Sequence, residues 1–270
     1  MKPVIPAFLL CVYLSLSAWA QEAREPLFTA PDGTRIHYDR TGNGPAVVLI
    51  HGFIVTGESW KRAPVTQRLI EAGHTVVTLD LRGNGRSDKP RQLAAYQQDA
   101  EVTDVMALMK HLGFRQYDVV GYSRGAILAA RLLAVSPRRR IRRAMLGGMG
   151  IGFTNPLWHR RWDFYEALNR PGSHPELAPA IAYALKTGAD TVALKHMQQA
   201  QPVTSRRALG RIRQPVLVIS GENDTDNGPA HELAESLPNA TLRQVPGTHN
   251  TAMFTPEFAS EVVDFLRLTP

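Results

Sequence analysis

Cysteine is almost absent from this 270-residue chain: Cys11 is the only one. It lies in an apolar N-terminal stretch, so a chain that begins at Gln21 would have neither a disulfide nor a thiol nucleophile. A phosphate-binding Gly-Lys-Ser/Thr loop is also missing. The glycine-containing run Asp80 to Asp88 therefore reads as a structured loop, not a phosphate cradle. No Pro/Gly/Ser-rich linker divides the sequence, and no internal repeat is visible. One α/β domain carrying an insertion is the expected organisation. The formal charge is +7, yet no nucleic-acid recognition motif accompanies it, so nucleic acid is not an expected partner. Much of that charge sits in Arg138-Arg139-Arg140, Arg142-Arg143 and Arg160-Arg161. These clusters read as a solvated rim, with loose, salt-sensitive attraction to an anionic envelope surface as the other expectation.

What is present begins with a leader. Lys2 is the only charge in residues 1–20, Val4 to Leu16 is nearly all apolar, and Ala18-Trp19-Ala20 offers a small-x-small cleavage site. A cleavable signal peptide over residues 1–20 is expected, not a stable membrane anchor, because the apolar run is short and contains Pro6. Cys11 follows Leu9-Leu10 and lies far upstream of that site, which argues against lipidation. The implied location is periplasmic or secreted. Sequons at Asn223 and Asn239 favour a bacterial source, because a glycan on Asn223 would sit in a loop assigned a role below.

Along the rest of the chain, strand and helix patterns alternate. A hairpin is predicted around Pro31-Asp32-Gly33, then a doubly buried strand Ala46 to Ile50 that ends in His51-Gly52-Phe53. A helix over 59–72, a strand over 74–81 and a helix over 99–112 follow. After a strand over 143–148 the alternation stops. Residues 150–207, rich in Pro, Trp, His and Arg, read as a small helical cap with helices over 157–168 and 178–194. Alternation resumes at Pro215. The fold class expected is a mostly parallel sheet flanked by helices, built from residues 21–149 and 208–270, with the cap inserted after the sixth strand.

Gly121-Tyr122-Ser123-Arg124-Gly125 lies between an apolar strand pattern (Tyr117 to Gly121) and a helical one (Ala126 to Val135). In that context the pattern is a nucleophile elbow, in which a strained turn exposes the serine hydroxyl. A serine needs a general base, and the base needs an orienting carboxylate; both should come from loops at the carboxyl ends of strands. The final strand pattern ends in Gly247-Thr248-His249, which makes His249 the base. The preceding one ends in Gly221-Glu222-Asn223-Asp224-Thr225-Asp226 and offers three carboxylates.

These ordered segments resemble the α/β-hydrolase superfamily over Ala46 to Gly148 and Pro215 to Leu268. The resemblance selects Asp224, the fourth residue of a Gly-x-x-Asp turn, as the acid. It implies an oxyanion hole made by the backbone N–H groups of Phe53 and Arg124, and it implies no cofactor or metal. His51 is expected to fix its loop by hydrogen bonding. Arg124 is expected to pair locally with a carboxylate rather than reach into the pocket. Phe53, Ile54, Trp60, Trp158, Trp162, Phe164 and Tyr165 are candidates to line an apolar pocket. The expected activity is hydrolysis of a small ester with an apolar portion through an acyl enzyme. Carbon-carbon bond hydrolysis, peroxide-dependent peracid formation and amide or aminopeptidase cleavage share the same triad, and a capped apolar-ligand binder is the non-enzymatic alternative. A serine at the nucleophile position argues against dehalogenase and epoxide-hydrolase chemistry, which the resemblance associates with aspartate.

Overall fold

The computed structural model describes residues 26–267; the signal peptide expected over residues 1–20 lies outside them. Eight strands form one sheet: β1 (Leu27–Thr29), β2 (Arg35–Thr41), β3 (Ala46–Ile50), β4 (Thr75–Leu79), β5 (Tyr117–Tyr122), β6 (Ile141–Gly147), β7 (Val216–Gly221) and β8 (Ala240–Val245). Their spatial order is β1-β2-β4-β3-β5-β6-β7-β8. The β1-β2 and β2-β4 pairs are antiparallel, and every pair from β4 to β8 is parallel. The predicted hairpin is therefore the antiparallel edge of an otherwise parallel sheet.

Helices cover both faces, which is why the central strands read as continuous apolar runs. The helices before β5 are α1 (Glu58–Arg62), α2 (Pro64–Glu71) and α3 (Ala100–His111), and α4 (Arg124–Val135) follows it. Beyond β6 come α5 (His159–Asn169), α6 (Ala178–Lys186), α7 (Thr191–Gln199) and α8 (Arg206–Leu209), then α9 (Ala230–Glu235) after β7 and α10 (Pro256–Arg267) at the end. Strand β3 shows how the layers are built. Ala46, Val48 and Ile50 enter the core shared with α3, α4 and α9, while Val47 and Leu49 enter the one shared with α1, α2 and α10. Thr255 closes the start of α10 by accepting from the Phe258 N–H at 3.2 Å, with Pro256 in the first turn where no N–H is needed.

Two predicted helices are each divided. The 59–72 pattern breaks at Ala63, which is extended (ψ 131°) because Pro64 excludes the helical conformation from the residue before it. The 178–194 pattern breaks at Gly188 (φ +78°), and α7 restarts on Asp190, whose carboxylate accepts from the Val192 and Ala193 N–H groups. Residues between β6 and β7 thus hold four helices. Among the described residues no helix is long and apolar enough to cross a membrane.

Candidate active site

Strand β5 delivers Tyr122 and Ser123 to the carboxyl edge of the sheet, and the turn into α4 is abrupt. Ser123 has φ 55° and ψ −120°, a conformation that costs an L residue about 1–3 kcal/mol. Its N–H donates to the Gly147 carbonyl at 2.8 Å. A Cβ on Gly121 would collide with the Gly125 carbonyl, and one on Gly125 with that of Ile50. Both glycines are therefore required by the tightness of the turn.

The loops after β7 and β8 meet this serine. His249 Nε2 lies 3.0 Å from Ser123 Oγ, and His249 Nδ1 lies 3.0 Å from Asp224 Oδ2. An ionised carboxylate can only accept, so Nδ1 carries the proton and Nε2 is left to accept from the serine hydroxyl. The other oxygen of Asp224 accepts from the Asp226 N–H at 3.2 Å. Glu222 is absent from this chain of contacts, and Asp226 instead pairs with Arg160 on α5 at 2.9 Å.

Two positions unmarked in the sequence support His249. The Tyr122 hydroxyl donates to the His249 carbonyl at 2.8 Å, and the two rings are 5.5 Å apart. Burial, with the Asp224 and Asp226 charges, pushes this phenol well above its ordinary range, so it remains a donor. Asn227 donates to the Gly148 carbonyl at 2.8 Å, and its amide nitrogen lies 3.4 Å from His249 Nδ1. Because that Nδ1 proton is committed to Asp224, the amide acts chiefly on the Gly148 loop.

On the opposite side of Ser123, a Cβ on Gly52 would stand 3.5 Å from the serine Cβ, which places the His51–Phe53 turn directly against the elbow. His51 holds this turn as expected: Nδ1 bonds to the Gly52 carbonyl at 2.7 Å, and Nε2 accepts from the Leu81 N–H at 2.9 Å. Burial lowers its pKa, the neutral form that this pattern requires. Asn84 adds donations to the Phe53 and Val55 carbonyls at 2.9 and 3.1 Å. Its loop is tied down by Arg82, which forks onto Asp104 at 2.6 Å through two nitrogens.

Arg124 is 3 % exposed and pairs with Glu101 of α3, as expected of a locally satisfied guanidinium. It also donates to the Met197 carbonyl at 2.9 Å and to Gln201 at 3.4 Å. Arg161 of α5 grips the next two carbonyls, Gln198 and Gln199, each at 2.7 Å. Two guanidiniums thus close the carboxyl end of α7, where the helix dipole is negative. Burial, followed by the Arg124 charge, brings Arg161 down to about 10.

The seven pocket candidates separate. Phe53 and Phe164 meet edge to face at 5.5 Å, and Phe53 and Ile54 pack against Tyr96, Leu194 and Met197. Trp162 and Tyr165 pair with each other at 5.6 Å, and Trp158 lies over Gly152. Trp60 does not line a pocket. It is 0 % exposed in the α1/α2/α10 core beside Val47, Leu69 and Phe258, because it sits on the face of α1 that the sheet covers. Among the described residues, no group of three or more His, Cys, Asp or Glu side chains is gathered as a metal site requires.

Residues 47–265 match the alpha/beta hydrolase family, and the chain belongs to it. A non-heme haloperoxidase of Rhodococcus erythropolis is 33% identical over 132 residues, 49% of this chain and 45% of that protein. The matched stretch is thus under half of that relative's length. The serine hydrolase BPHL of Mus musculus is 29% identical over 253 residues, covering 88% of this chain and 85% of its own. A solved hydrolase from Pseudomonas aeruginosa PA01 superposes with a TM-score of 0.75 at 23% identity, covering 92% of this chain and 100% of that one, a likeness of fold. The family it matches is one of hydrolases.

Proposed function

We propose that this hydrolase cleaves carboxylic esters through an acyl enzyme. The observation that carries the reading is the series Ser123 Oγ, His249 Nε2, His249 Nδ1, Asp224 Oδ2, with both contacts at 3.0 Å. Ser123 Oγ attacks the ester carbonyl as His249 takes its proton. The tetrahedral intermediate collapses as His249 returns that proton to the departing alcohol, and water, deprotonated by His249, then releases the acid. The Arg124 N–H, first of α4 and so without an intrahelical acceptor, and the Phe53 N–H form the oxyanion hole. The helices between β6 and β7 act as a cap, with Phe164 and Ile54 facing the acyl or alcohol group. The leader directs the protein to the periplasm or the exterior.

Replacing Ser123 with Ala tests this. Hydrolysis of short p-nitrophenyl esters falls at least 10³-fold while the thermal midpoint is retained, and a fluorophosphonate probe labels only the wild type. Wild-type-like turnover by the variant refutes the assignment, and a wild type inert to the probe supports a ligand-binding role instead. The resemblance to a haloperoxidase favours one second reading, in which hydrogen peroxide replaces water at the acyl enzyme and releases a peracid. Halide oxidation that requires both peroxide and a carboxylic acid donor would establish it.

A further inference from the structure

The edge of the sheet opposite Ser123 brings one arginine cluster, Arg138 to Arg142, together with arginines that precede the two neighbouring strands, whereas Arg160 and Arg161 lie on α5. Residues 138–142 lie at the start of β6, Arg115 and Gln116 precede β5, and Arg211 and Arg213 precede β7. Because these three strands are parallel and adjacent, their entry loops share one edge. There they enclose a depression of about 360 Å³ lined by Gln116, Arg138, Arg139, Arg142, Arg213 and Gln214, with no carboxylate in the lining.

This edge is built. Gln116 donates to the Arg139 carbonyl at 3.0 Å and Gln214 to the Arg138 carbonyl at 3.3 Å, so two side-chain amides hold the backbone of the basic loop. Asn239 fixes the Arg213 carbonyl at 2.7 Å. Arg142 is neutralised by Asp118 at 2.6 Å, and that carboxylate is buried behind it. Arg138, Arg139 and Arg213 are exposed and pair with no carboxylate among the described residues. Ordinary surface charge is interspersed in sign; here three uncompensated guanidiniums converge on one concavity. A neighbouring depression of about 270 Å³, on the other side of the 137–140 loop, combines Lys110 and Arg140 with Met106, Ala107 and Tyr117. Basic groups beside an apolar hollow fit a phosphate-bearing amphiphile better than they fit the regular backbone of a nucleic acid duplex.

We propose that this edge docks the protein on an anionic phospholipid surface, leaving the Ser123 edge turned away from the bilayer. The attraction is electrostatic and reversible. Each arginine near an anionic membrane strengthens partitioning about fivefold, and added salt, by shortening the Debye length, removes the gain. The inference is independent of the ester reading, since no residue of the docking edge belongs to the site.

The test is co-sedimentation of the purified protein with vesicles. Binding is expected to phosphatidylglycerol-containing vesicles and not to pure phosphatidylcholine, with release at high salt. The triple variant Arg138→Gln, Arg139→Gln, Arg213→Gln is expected to bind on the order of 100-fold more weakly, with an unchanged circular dichroism spectrum and unchanged turnover of a soluble ester. A folded variant that binds as well as the wild type overturns the proposal. So does equal binding to neutral vesicles, or tighter binding to duplex DNA than to anionic vesicles at the same salt. If the triple variant does not fold, the single variants Arg138→Gln and Arg139→Gln carry the test, each about fivefold weaker than wild type.

Discussion

At the scale of single residues, the site depends on groups that hold His249 as much as on those that react. The Tyr122 hydroxyl reaches the His249 carbonyl across 127 positions of sequence, and the phenol ring underlies the imidazole. In the Tyr122→Phe variant the ring contact stays and only the donor is lost. A hydrogen bond of this kind contributes about 1 kcal/mol, which corresponds to about a fivefold fall in kcat if it orients the base. KM for a short ester should be unchanged, because Tyr122 acts through His249. Steady-state kinetics alongside thermal unfolding distinguishes the roles, since a lower melting temperature with full kcat means Tyr122 only packs. Nothing in the five-residue motif signals this role. The motif fixes where Ser123 goes, whereas the partner of Tyr122 is set by how the loop after β8 returns over β5.

At the scale of elements, the question is what joins α7 to the elbow. Arg124 spans that gap, bonded to Glu101 on α3 and to the Met197 carbonyl at the end of α7. Removing one partner of a buried ion pair leaves an uncompensated charge and costs about 3–5 kcal/mol. Arg124→Met should therefore lose that much stability in denaturant titration, and Arg124→Met with Glu101→Leu should recover most of it. The main-chain N–H at 124 survives both changes. Activity on anionic and neutral esters should fall by the same factor, and a selective loss on anionic esters would show that the guanidinium meets substrate. Helix boundaries were readable where local chemistry sets them. Pro64 and Gly188 broke patterns that apolar periodicity alone ran together, and both breaks carry ordinary breaker residues. Trp60 departs from the expected pocket for a different reason: in sequence an aromatic side chain near a mouth and one in the core look alike until the helix is rotated onto the sheet.

For the molecule as a whole, the alternating apolar runs already imply the parallel sheet, and the order of Ser123, Asp224 and His249 already implies where its loops converge. Long-range polar placement is what the sequence conceals, and it is also what makes stability depend on pH. His51 and His74 are held below their ordinary pKa, chiefly by burial. In the unfolded chain both bind protons near pH 6.5, while the folded protein resists them. The unfolded state then binds more protons, so their contribution is complete above about pH 6.5 and is lost as pH falls below it. Asp104 works in the opposite direction. Burial lifts it to about 6 against the pull of Arg82, so between about pH 6 and the ordinary carboxylate range protonation favours the fold. The two effects leave the steepest loss just below pH 6.5, with partial compensation further down. Melting temperatures measured at closely spaced pH values should fall first in that window and then flatten. Replacing Asp104 with Asn leaves the buried Arg82 guanidinium without its carboxylate and so lowers the melting temperature at every pH, and on that lower curve the compensation should be gone, so that the decline continues below pH 6. In nuclear magnetic resonance the His51 ring should keep its neutral shifts below pH 6.5, where an exposed imidazole has begun to titrate; a His51 that titrates with the exposed histidines would refute its buried neutral role.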